Sequence, residues 1–264
     1  MAIELPTVRS KKTEDIGAMS MLLYGSPKIG KSTIAASFPD ALFVVTEEGH
    51  KSMEIFKVGV TEWPDFRDLC KKLRKEEHKF KTVLIDTIDL LFSVCETYIC
   101  KQKGIDHPSE LEYGRGWGFL RDEFQKALAP LAAPDKAGKI PFGLVFLSHA
   151  KEVEVKGRMV KTTRTVCTLS GTARKVVLPL VDIVGYCGFG EDAAGEPTRE
   201  RTVTFAPTEL IEAGDRTGRL PENVLMRKTG WYELLQDVYT DGGRESSKPA
   251  KKESGGLRPK RKSM

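Results

Sequence analysis

Eight consecutive residues, Gly25-Ser26-Pro27-Lys28-Ile29-Gly30-Lys31-Ser32, fit the pattern G-x-x-x-x-G-K-[ST] without a mismatch. That spacing suits a polyphosphate. Glycines let the backbone wrap closely around the anion, and successive N–H groups then point at it. Lys31 is placed for the β- and γ-phosphates, Ser32 for a magnesium ion, and Thr33 for the α-phosphate side. The chemistry implied is the binding of ATP with Mg²⁺. A second metal-side group is expected from Asp86, which follows the run Thr82-Val83-Leu84-Ile85 and so ends a buried strand. The alternative for Asp86 is to cap the next helix, a task open also to Thr87 and Asp89. Hydrolysis further needs a carboxylate that orients or deprotonates water. Glu47 and Glu48, just after the run Ala41–Thr46, are the candidates, against the reading of a solvated acidic turn. Ser148 and His149 end another apolar run and can sense the γ-phosphate, or simply close a strand.

These groups work only if the elements carrying them end at one place. Met21–Tyr24, Ala41–Thr46, Thr82–Asp86 and Phe142–Leu147 are short, nearly continuous apolar runs, the pattern of strands buried on both faces. Between them, helices are expected at Lys31–Phe38 (stopped by Pro39), Phe66–Glu77, Leu90–Lys101 and Phe119–Leu131. Residues 103–118, with Gly104, Gly114, Gly116 and Gly118, are expected to be irregular. The alternation predicts an α/β fold with a mostly parallel sheet sandwiched by helices. After Ala150 the pattern changes. Period-two segments around Lys156-Gly157 predict a hairpin, followed by a helix at Leu169–Leu180, a strand at Val181–Phe189, a polar turn, a strand at Thr202–Phe205, and a last helix at Trp231–Val238.

The 264 residues suffice for one large domain, expected over 1–240. No apolar run approaches the length of a membrane span, and the first twenty residues lack the apolar stretch of a secretory signal. A cytoplasmic protein is expected. Its five cysteines, odd in number and without a C-x-x-C pair, fit reduced thiols better than disulfides. Cys95, Cys100 and His107 are expected to belong to a helix and its end rather than to a metal. The formal net charge of +5 resides in residues 241–264, which carry eight basic and three acidic side chains. That segment has few apolar residues, and a disordered tail is expected. Its cations can replace condensed counterions on nucleic acid, or merely solubilise the chain.

Taken in order, GSPKIGKST, LFVVTEEGHKSM, TVLIDTIDLL, YGRGWGFLRDEF and LVFLSHAKEV resemble the phage-encoded AAA-type nucleotide-binding proteins with a RecA-like core, over roughly residues 18–190. Some members of that group are single-strand annealing and recombination ATPases. The resemblance implies a P-loop NTPase fold, a catalytic glutamate at Glu47 with Glu48 as its substitute, and a nucleotide-sensing strand end at Ser148-His149. It also implies that the segment after that strand contacts DNA. Lys151, Lys156, Arg158, Lys161 and Arg164 are then the DNA-binding candidates. Lys156, Arg158 and Lys161 are expected to share one side, with Trp117 and Tyr113 as stacking platforms; the alternatives are an edge hairpin protected by lysines and, for Trp117, a place in the core. Arg174 and Lys175 are candidates for a cation acting on a neighbouring subunit, against the favoured reading of a solvated helix face. The partners implied are single-stranded DNA, further copies of the chain, and a single-strand DNA-binding protein. Two competing functions are a helicase loader or remodeller acting on a protein, and a nucleotide-binding scaffold with negligible turnover.

Overall fold

The computed structural model describes residues 5, 7–9, 12–134, 141–156, 161–191 and 197–245. In chain order the main elements are β1 (Ser20–Gly25), α1 (Lys31–Ala35), β2 (Ala41–Val45), β3 (Phe56–Gly59), α2 (Trp63–Lys75), β4 (Thr82–Asp86), α3 (Ile88–Lys103) and α4 (Arg115–Ala132). There follow β5 (Gly143–Lys156), β6 (Lys161–Cys167), α5 (Gly171–Leu180), β7 (Ile183–Glu191), β8 (Pro197–Thr204), β9 (Gly214–Asp215), β10 (Asn223–Leu225) and α6 (Trp231–Glu245).

Side-chain alternation sorts the strands between two cores. In β1, Leu22 and Tyr24 enter one core and Met21 and Leu23 the other, all fully buried. In β4, Val83 and Ile85 oppose Leu84 in the same way. The first core is closed by α2, α3, α4 and α5, the second by α1 and α6. The sheet order is β10-β8-β7-β1-β5-β4-β2-β3, and every pair from β7 to β3 is parallel. Antiparallel β8 and β10 extend one edge, and β6 pairs antiparallel with β5. The chain is thus a mixed α/β fold, a mostly parallel sheet flanked by helices.

Several boundaries differ from expectation. β3 is a four-residue strand at the sheet edge; Phe56 and Val58 alternate with Lys57 and Gly59, but with Phe56 half exposed the run is too short to stand out as a buried strand. α1 is only five residues; the backbone then tightens, Ser37 N–H bonding the Ile34 carbonyl at 3.1 Å. α6 runs on to Glu245, beyond the boundary placed at 240. Arg158 and the tail from residue 246, with its cations from Lys248 to Lys262, lie outside the described residues. The glycine-rich segment is the main correction, because α4 already begins at Arg115. Gly116 is buried there because a Cβ would fall 2.1 Å from the Pro108 carbonyl oxygen. That glycine permits close packing of two segments, not looseness. Trp117 is a helix residue packed edge-on against His107 at 5.4 Å, not part of a stacking loop.

The two helical glycines should therefore respond oppositely to alanine. Gly116→Ala is expected to destabilise the fold by about 1–3 kcal/mol through overpacking. Gly118→Ala, whose Cβ would meet nothing within 4 Å, is expected to stabilise it by about 0.5–1 kcal/mol. Urea unfolding monitored by circular dichroism checks both, and equal effects would contradict the packing assigned to Gly116.

Candidate functional site

Parallel pairing brings distant residues to one edge of the sheet. Gly25, the last residue of β1, lies opposite His149 on β5 and Cys187 on β7; Asp86, the last of β4, lies opposite Val45 and Leu147. Gly25 must be glycine, since a Cβ would sit 2.3 Å from the Cys187 carbonyl oxygen. The loop then turns through two left-handed residues, Lys28 (φ 63°) and Gly30 (φ 112°). Buried Ile29 anchors it to the second core.

Lys31 folds back over this loop. Its ammonium donates to the carbonyls of Gly25 (2.9 Å) and Ser26 (3.0 Å). Burial pushes its pKa below the ordinary lysine value, against the pull of the nearby Asp86, Asp89 and Glu47 carboxylates. Ser32 Oγ donates to Asp86 Oδ2 at 2.6 Å, so the two expected magnesium ligands are adjacent. Both are hard oxygen donors of the kind a magnesium ion takes alongside water and phosphate oxygens. Asp86 makes no helix cap; Thr87 occupies that position in α3, without a side-chain cap bond.

His50 was not anticipated. It is buried, edge-on to Phe43, and its Nε2 lies 2.8 Å from the same Asp86 oxygen that Ser32 contacts. The one available signal was a histidine directly after the Glu47-Glu48-Gly49 turn. Thr46 fixes the start of that turn: its N–H bonds the Asp86 carbonyl at 3.0 Å, and its Oγ1 accepts from Thr87 N–H at 3.0 Å.

Lys31, Ser32, Glu47, Glu48, His50, Asp86 and His149 all line one cavity of about 440 Å³, together with Pro27, Lys28, Gly30 and Thr33. Glu47 Oε1 is 4.0 Å from His149 Nε2. Ser148 is a correction. It is fully buried and donates to Asp89 Oδ1 at 3.0 Å instead of reaching the cavity. Successive strand residues point to opposite faces, so only one of the pair can face the loop. Asp89 also accepts from Thr168 Oγ1 at 2.7 Å, tying α3 to the base of the hairpin.

The hairpin cations divide. Opposite residues of an antiparallel pair share a face. Lys156 pairs with Lys161, on the face of Glu152 and Glu154, and Lys161 Nζ lies 3.8 Å from Glu154. Lys151 and Arg164 belong to the other face, with Val153 and Val155. Lys156 and Lys161 therefore share a side as expected, Arg158 lies outside the described residues, and Lys151 and Arg164 form a separate group. Arg174 is also bound within its own chain, to Glu212, with one contact at 3.0 Å.

Residues 18–217 match the family model described as an AAA domain. The chain belongs to the AAA domain family. The family assignment supports a nucleotide-binding P-loop domain of the ATPase type, and the loop, strand order and cavity fit it. The chain is similar to the SPbeta prophage-derived uncharacterized protein YorG of Bacillus subtilis (strain 168), with 23% identity over 143 residues. The match covers 52% of this chain and 42% of that protein, so the chain spans less than half of that relative's length. Among the described residues, no helix of the AAA domain is long and apolar enough to cross a membrane.

A histidine that holds a metal-side carboxylate should affect metal affinity. His50→Ala is expected to weaken Mn²⁺ binding in the presence of ADP by about tenfold, read from the free-Mn²⁺ electron paramagnetic resonance signal. Metal-free ADP affinity should be unchanged. An unaltered Mn²⁺ affinity would remove His50 from the metal's surroundings.

Proposed function

We propose that this AAA domain hydrolyses ATP and couples hydrolysis to single-stranded DNA, in recombination or annealing within the cytoplasm of a phage-infected or lysogenic cell. The observation that carries this reading is the convergence of Lys31, Ser32, Asp86 and Glu47 on one cavity at the carboxyl edge of the sheet. Lys31 exchanges its two loop carbonyls for phosphate oxygens and stabilises charge there. Ser32 and Asp86 would hold Mg²⁺, whose charge would offset that of the phosphates. Glu47 orients and deprotonates the attacking water, and His149 positions Glu47; Glu48, on the same cavity wall, is the substitute base.

β5 links this chemistry to DNA. It runs without interruption from His149 into the hairpin, so a shift at the strand end moves Lys151 and Arg164. The resemblance to RecA-like annealing proteins and the prophage origin of YorG support the phage setting. We further propose assembly of several copies along the strand, with a single-strand DNA-binding protein as another partner. A second reading, a remodeller acting on a protein, draws support from the hairpin itself. Its charges are mixed and Val155 is 44% exposed, as a protein-binding surface would have it.

Turnover with and without single-stranded DNA separates the two. Stimulation by DNA is expected, and its absence at low salt would favour the protein partner. Lys31→Ala should lower turnover by about a hundredfold or more, and near-normal hydrolysis would defeat the site assignment. Glu47→Gln should retain ATP binding while turnover stops. If only Glu48→Gln has that effect, the base is Glu48.

A further inference from the structure

The hairpin of β5 and β6 has a second root that does not pass along β5. Tyr24, the residue before Gly25, is fully buried and points into the first core, opposite in sense to Leu23. Its hydroxyl lies 2.6 Å from the Glu212 carbonyl and 3.1 Å from the carbonyl of Thr165 on β6. A tyrosine hydroxyl has one proton to give. The shorter contact assigns it to Glu212, while the Thr165 carbonyl accepts from the Glu212 N–H at 3.1 Å. Burial pushes the Tyr24 pKa well above the ordinary phenol value, so the group stays a donor.

Residues 210–212 are seated on β6 as a short additional strand. Thr165 N–H bonds the Leu210 carbonyl at 2.7 Å, and Ile211 bridges Thr165 in parallel. Arg174 of α5 holds the Glu212 carboxylate, with one contact at 3.0 Å. Tyr24 is where this seat meets the strand that feeds the phosphate loop. On the loop side, the neighbouring Gly25 carbonyl accepts from Lys31 Nζ at 2.9 Å.

We propose that Tyr24 is a positioning residue that couples the phosphate loop to the β6 root of the hairpin, so that a nucleotide in the loop alters how firmly residues 210–212 are seated. This coupling rests on the phosphate-loop reading above, whatever partner the hairpin takes. The loop has two discrete arrangements: Lys31 lies on the Gly25 and Ser26 carbonyls, or leaves them for phosphate oxygens. In the second, the Gly25 carbonyl loses its cation and the backbone beside Tyr24 readjusts. The Tyr24 ring packs against Tyr186 with centroids 5.3 Å apart. A shift of its backbone is therefore carried to the hydroxyl rather than absorbed by rotation of the ring. A short O–H···O bond weakens steeply when its geometry is disturbed. Phenylalanine would fill the same core space; what the hydroxyl adds is the connection. Linkage makes the effect reciprocal, so a partner that loads the hairpin acts back on the loop.

Hydrogen exchange on the full chain reads the seat through the amides of Thr165 and Glu212. Rates are compared without nucleotide and with Mg²⁺ and a saturating non-hydrolysable ATP analogue. In wild-type protein they should differ by at least about fivefold, the lower range of coupling between sites. Tyr24→Phe should make the rates in the two states equal. A hydroxyl with a merely structural role would, on removal, speed exchange alike in both states and preserve their ratio; that result would overturn the proposal, as would equal rates in the wild type. Glu212→Gln weakens the hold of Arg174 on the seat and leaves β1 untouched. It should also lower the ratio, and an undiminished ratio there overturns the proposal if Tyr24→Phe does not fold. Calorimetry separates the underlying reading. Failure of the wild type to bind the analogue defeats the phosphate site and the coupling together, whereas binding without any difference in exchange defeats the coupling alone.

Discussion

Level strand ends are the constraint on which the site depends. β1, β5, β4 and β2 lie side by side in parallel, and their register sets Gly25 beside His149 and Asp86 beside Val45. A one-residue slip would exchange the buried and cavity-facing side chains of a whole strand, so two packed cores enforce the alignment. Residues separated by up to 122 positions, Pro27 and His149, thereby meet around one cavity. Ser32 and His50 touch Asp86, and Glu47 approaches His149, but it is the sheet that holds these groups in common geometry.

Within that frame, burial decides how each charge is held. A buried carboxylate or ammonium needs partners to offset its lost hydration. Asp86 obtains them from Ser32 and His50 on a single oxygen, and Lys31 from two loop carbonyls. These are the contacts a phosphate and its metal would rearrange. Thr46 adds a backbone clamp between β2 and β4, so the acidic turn starts from a fixed point. Asp89 extends the same linkage to Ser148 and Thr168, at the root of the hairpin.

The two sides of the phosphate loop differ in what built them. Toward Asp86 the walls are ends of parallel strands, which a sheet of this order supplies as a consequence of its topology. Toward Met226 the wall is an antiparallel edge added after the parallel strands, with exposed arginines in place of the carboxylates of Glu47, Glu48 and Asp86.

Much of this was legible in the amino-acid sequence, for local reasons. The phosphate loop is contiguous, and its glycines and lysine act through short-range backbone geometry. Buried strands announce themselves as apolar runs, so β1, β2, β4 and the start of β5 were found nearly to the residue, with Asp86 at the end of one. Helix α4 was misjudged at its start because a glycine required by close packing looks, in sequence, like one required by a turn. β3 offered only Phe56 and Val58 in a four-residue edge strand, too short an alternation to stand out. What only the tertiary structure decided depends on long-range pairing: that His149 rather than Ser148 faces the cavity, that His50 reaches Asp86, that the hairpin cations split between two faces, and that Arg201 meets Ile29 across 172 residues. Strand register and cross-sheet neighbours set these contacts, and neither is encoded in the spacing of residues along one segment.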